Sequence, residues 1–90
     1  MEFRTYKGIG NTRHLVFEND VKSIFVWIAD DTGKVLGTHT CYYQVFSDGM
    51  YVVYERKASF CETEKCMEKY KEVLSRTQKG REKLELFGWN

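Results

Sequence analysis

The apolar positions of this chain keep one rhythm up to about residue 58 and another after about residue 62. In the first stretch they gather in short runs rich in β-branched and aromatic residues, separated by turn residues, which is the pattern of strands. Residues 3–7 and 13–18 flank the turn cluster Gly8-Ile9-Gly10-Asn11. Residues 21–29 are apolar on both faces and predict a central strand. Asp30-Asp31-Thr32-Gly33 supplies hairpin chemistry, residues 34–46 alternate for much of their length, and Ser47-Asp48-Gly49 turns the chain into a further β-rich run at 50–57. Consecutive strands joined by short turns predict an antiparallel meander of four or five strands over residues 2–58.

Between residues 62 and 79, Cys66, Met67, Tyr70, Val73, Leu74 and Thr77 recur at three- and four-residue spacing, the stripe of an amphipathic helix. Glu62 and Glu64 at its start and Arg76 and Lys79 at its end complement the helix dipole, and Gly80 reads as its stop. Two starts fit: a capping box, Ser59-Phe60-Cys61-Glu62, or Thr63 as the N-cap. The expected fold is α+β, an antiparallel β-meander with one C-terminal amphipathic helix packed on one face. Residues 80–90 carry Leu84, Leu86, Phe87 and Trp89, which predict a tail that docks, as a strand or as a helical turn.

Composition narrows this picture. Ninety residues without proline, linker or repeat predict a single domain, 1–90. A domain of this size has a thin stability margin, but six Tyr, six Phe and two Trp supply core area that chain length does not. The net charge of +1 gives no general pull toward nucleic acid or membrane. Charge density rises late: residues 1–60 hold 7 basic and 7 acidic side chains, and residues 61–90 hold 7 and 6. No apolar run reaches the roughly 18 residues of a membrane span, and residues 1–6 show no signal-type stretch, so a cytoplasmic protein is expected.

The chemically active set is His14, His39, Cys41, Cys61 and Cys66. His39-Thr40-Cys41 puts two soft ligands on one face of a strand, roughly 6.6–6.8 Å apart at Cα. Cys61 and Cys66 bracket the helix entry. With a start after Thr63, Cys61 turns back toward Cys66 and the set His39, Cys41, Cys61 and Cys66 forms a tetrahedral structural zinc site stapling helix to sheet. With a start at Phe60, the two cysteines diverge by about 140° and the site is poor. His14 is an alternative nitrogen ligand. Two other readings stand beside zinc: buried reduced thiols, and a disulfide, which the odd cysteine count disfavours.

Other motifs carry less. Asp31-Thr32-Gly33 copies the triplet of aspartic proteases but lies in a turn with Lys34 directly after it. Gly8-Ile9-Gly10 lacks a third glycine and precedes a strand, so it is no phosphate loop. Cys61 at a helix start has the position of a reactive thiol. Arg76, Lys79, Arg81 and Lys83 are broken by Glu82 and lie where a helix end favours cations, so they read as a solvated helix terminus; the sharper alternative is a phosphate-contacting patch, with Phe87 and Trp89 beside it to stack on bases.

A short chain starting at Met1, with strands dense through residues 50–57, one charged helix at 62–79 and no catalytic motif, resembles the small phage-encoded anti-defence proteins, the anti-CRISPR inhibitors of Cas nucleases among them. The resemblance implies a non-enzymatic inhibitor that sterically blocks a host protein, a CRISPR-Cas nuclease effector, in the bacterial cytoplasm. It also allows for a bound structural metal; separately, a monomer or weak homodimer is expected. The alternative is a small nucleic-acid-binding domain using the basic and aromatic C-terminal segment.

Overall fold

The structure is a computed structural model that describes residues 1–89, so Asn90 of the expected tail lies outside it. Five strands, β1 (Glu2–Lys7), β2 (Thr12–Glu18), β3 (Lys22–Ala29), β4 (Val35–Phe46) and β5 (Gly49–Arg56), precede two helices, α1 (Phe60–Leu74) and α2 (Gln78–Phe87). The sheet runs in chain order, β1-β2-β3-β4-β5, with every neighbouring pair antiparallel. The α+β meander with five strands is therefore what the chain forms, and β3 is its centre.

The expectation of one C-terminal helix is corrected to two. α1 begins earlier than the stripe suggested, because Ser59 caps it: its hydroxyl accepts from the Glu62 N–H, while the Glu62 carboxylate accepts from the Ser59 N–H. It ends at Leu74, where Ser75 and Arg76 break the ladder, and Thr77 starts α2 by accepting from the Gly80 N–H. Gly80 is thus inside the second helix and does not stop the first. A Cβ there would lie 1.9 Å from the Leu74 carbonyl oxygen, so the two helices meet at a point that admits no side chain. The tail docks as a helix, ended by Gly88 at φ 72°.

One face of the sheet carries the core. Leu15 and Phe17 from β2 and Ile24, Val26 and Ile28 from β3 are buried against Cys66, Tyr70 and Leu74 of α1. Leu84, Phe87 and Trp89 close the same cluster from the C-terminal end, with Trp89 edge-on to Tyr70 at 6.2 Å between ring centres. Among the described residues no helix lies on the other face, and α1 packs across β1, β2 and β3, leaving β4 and β5 largely uncovered. β4 has 12 residues against 8 in β3, whose first residue, Lys22, pairs with Tyr42. The Tyr43 N–H still donates to the Val21 carbonyl, and residues 44–46 extend with β5 past the end of β3 as a two-stranded arm, about 10 Å long at strand rise. The molecule is elongated accordingly, 46 × 25 × 23 Å.

Candidate functional site

The uncovered face is built by strand register. Tyr6, His14, Trp27 and Gly37 form one row across β1–β4, and Arg4, Val16, Phe25 and His39 form the next. His14 meets Trp27 edge-on at 5.6 Å, and Phe25 stacks beside Trp27 at 6.2 Å. Gly37 leaves the outer side of the indole open, and a shallow groove runs here between Gly8, Thr12, His14, Trp27 and Leu36. A central strand apolar on both faces thus has one face sealed and the other only half buried.

The third row joins Ser23, Cys41 and Glu55. His39 Nε2 lies 3.3 Å from Glu55 Oε1, and the Cys41 thiol donates to the same oxygen at 3.6 Å. Burial, then the adjacent Glu55 carboxylate, pushes the Cys41 thiol above its ordinary value. The structure does not bring Cys61 or Cys66 to this pair. Cys66 sits on the helix side of the sheet, fully buried, with its sulfur 3.8 Å from the Ile24 carbonyl, and burial pushes its thiol up to about 12. Cys61 is exposed near the start of α1. With the helix starting at Phe60, the two diverge as the five-residue spacing requires, so the four-ligand set His39, Cys41, Cys61 and Cys66 does not converge. Glu55 is the group that sequence reasoning missed.

Glu62, which the sequence marks as a capping residue and a complement to the helix dipole, is the other polar centre. Its carboxylate accepts from Arg56 at 2.7 and 2.9 Å, from Thr40 at 3.3 Å and from the Ser59 N–H, and pairs with Lys22. The Arg56 hydrogen bonds, joined by Lys22 and Ser59 against the cost of burial, hold its carboxyl far below the usual carboxylate range. This cluster ties α1 to β3, β4 and β5. Arg56, Lys22, Thr40 and Ser59 all engage this one carboxylate, which makes the cluster a fastening between helix and sheet.

The arm presents a different surface. Val45, Phe46, Met50, Tyr51, Val52, Val53 and Tyr54 are each 47% or more exposed. Val53 is an extra residue in β5: Tyr42 pairs with Tyr54 but Tyr43 pairs with Val52, and this bulge lies at the base of the arm. The remaining sequence candidates are accounted for elsewhere. Asp31 is exposed in its turn, whereas Asp30 beside it is part-buried and paired with Arg13 and Lys83. His14 belongs to the Trp27 row, away from any cysteine. Phe87 and Trp89 pack, partly buried, against the core cluster, with Lys83 over the Phe87 ring and Lys71 over the Trp89 ring, and Arg81 donates to the Ser75 carbonyl.

Comparison with protein-family models, curated proteins and solved structures finds no match. Among the described residues, no helix is long and apolar enough to cross a membrane.

Proposed function

We propose that this chain is a small protein-binding inhibitor that works by occupying its target and not by turnover. The arm carries the reading: seven large apolar side chains on it and at its base are exposed to water, and among the described residues no helix covers this end of the molecule. Apolar surface of this kind, with tyrosines among it and charged residues at its base, is the composition of a protein-docking surface. β5 is also the sheet edge, so its outward backbone groups are free to pair with a strand of the partner. The half-buried Trp27, Phe25 and Tyr43 on the adjoining face continue that surface inward.

The likeness in build to phage anti-defence proteins makes CRISPR-Cas nuclease effectors the first targets to test. Mixed with such an effector, the protein should co-elute as a stoichiometric complex in size exclusion and suppress cleavage without being consumed. Val45→Asp and Val52→Asp should each abolish the complex while leaving the melting temperature unchanged, since exposed substitutions typically stay within about 0.5 kcal/mol. Inhibition that survives both substitutions removes the arm from the mechanism, and product formation by the chain itself removes the non-enzymatic reading.

A further inference from the structure

We infer that His39, Cys41 and Glu55 form a binding site for a borderline transition-metal ion, with Zn²⁺ the natural occupant and one coordination position open to water. The site is independent of the docking reading and differs from a helix-to-sheet staple, because all three donors lie on the uncovered face of two paired strands.

Geometry carries the argument. Zinc binds imidazole nitrogen at about 2.0–2.1 Å, thiolate at about 2.3 Å and carboxylate oxygen at about 2.0–2.2 Å. A tetrahedron with those arms has a nitrogen-to-oxygen edge of about 3.3–3.5 Å and a sulfur-to-oxygen edge of about 3.5–3.7 Å. The observed edges are 3.3 Å from His39 Nε2 to Glu55 Oε1 and 3.6 Å from Cys41 Sγ to the same oxygen. All three donor atoms lie within 4.8 Å of one another, and the tetrahedral nitrogen-to-sulfur edge of about 3.6 Å would be reached by the partly exposed imidazole turning toward the sulfur. One carboxylate oxygen is the common vertex. Among the described residues no fourth His, Cys, Asp or Glu joins the group, which leaves the last vertex to water.

The scaffold suits the task. His39 and Cys41 stand two apart on β4, held by β3 on one side and β5 on the other, and Cys41 is opposite Glu55. Their positions are set by two ladders and not by a loop. Thiol, imidazole and carboxylate together favour Zn²⁺ over Mg²⁺ or Ca²⁺, which take oxygen ligands. On binding, Cys41 gives its proton to solvent and the sulfur takes the metal. The ion would clip the edge strand β5 to β4 at the base of the arm. An ordinary His–Glu pair with a bystander thiol is the competing account, and it predicts no sulfur–metal bond.

Titration of the untagged, reduced chain with Co²⁺ as the probe separates the two. The proposal expects one Co²⁺ per chain, a near-ultraviolet thiolate-to-cobalt charge-transfer band, visible bands of four-coordinate intensity, and displacement by Zn²⁺. Cys41→Ser should erase the charge-transfer band. His39→Ala and Glu55→Gln, both at partly exposed positions, should each weaken binding by roughly tenfold or more, since even outer-shell partners are worth that much. Cys61→Ser should change nothing. Absence of the charge-transfer band, its loss in Cys61→Ser instead, or unaltered affinity in Glu55→Gln overturns the site.

Discussion

Glu62 shows how much one side chain can hold. It is 6% exposed, it completes the capping box of α1, and it gathers Arg56, Lys22 and Thr40 from three strands. Glu62→Gln keeps the shape but removes the charge, and should lower stability by about 2 kcal/mol, the scale of a hydrogen bond to a charged group. Urea denaturation at neutral pH would measure it. The pH dependence has a definite sign. The folded carboxyl is held below its unfolded value, so its contribution is complete above roughly pH 5 and is lost as pH falls through about 4 and below. The wild-type chain should therefore lose more stability on acidification than Glu62→Gln does. Thiol chemistry gives a second check at this scale. Cys66 is fully buried with its thiol raised to about 12, Cys41 is buried and raised too, and Cys61 is exposed. Native alkylation at pH 8 should modify Cys61 alone, and all three after denaturation; early modification of Cys66 would contradict its placement. Ser59 and Glu62 were legible as a cap because that contact is local, three residues apart. The Arg56 and Lys22 partners were not, because they arrive through strand pairing.

At the scale of elements, the strands lie close to where the apolar runs put them, and the helical region does not. One stripe predicted one helix over 62–79, yet the chain makes two, because Thr77 can cap a new helix three residues after Leu74 and the Leu84, Phe87 and Trp89 side chains then reach the core. Gly80 permits the close junction. Gly80→Ala forces a Cβ into the Leu74 backbone and should cost about 2 kcal/mol, within the range of overpacking, although alanine is the better helix former. Thermal denaturation of that variant tests it; a stabilised protein would mean that the helices meet elsewhere. Glu55 was missed for a reason of register. Counting back from the turn, Phe46 pairs with Gly49, and a regular hairpin would set Tyr54 opposite Cys41 and Glu55 on the helix side. The bulge at Val53 shifts the ladder by one residue, which moves Glu55 to the open face beside Cys41 and Arg56 to the helix face beside Glu62.

Over the whole molecule, burial is uneven. β2, β3 and α1 share the buried cluster, whereas the arm is two strands wide and has water on both sides. A two-stranded ribbon is marginal by itself. Amide exchange should therefore be slowest in β2 and β3 and fast at residues 44–53, and addition of Zn²⁺ should slow exchange around Glu55 if the clip forms. Uniform protection along β5 without metal or partner would contradict the exposed arm. The near-neutral chain, with its C-terminal aromatics built into the core, also predicts that any binding to nucleic acid is weak and disappears with added salt.

Sequence by itself determined what depends on neighbours in the chain: strand periodicity, turn residues, the capping box, and His39 and Cys41 on one face of one strand. Those features rest on backbone geometry repeating over two to four residues. Tertiary structure decided which face of β3 is covered, that the long β4 outruns β3 to make the arm, and that a single extra residue at Val53 delivers Glu55 to Cys41. Each of these follows from pairing between distant segments, where a shift of one residue exchanges the faces of a strand, and no local pattern records such a shift.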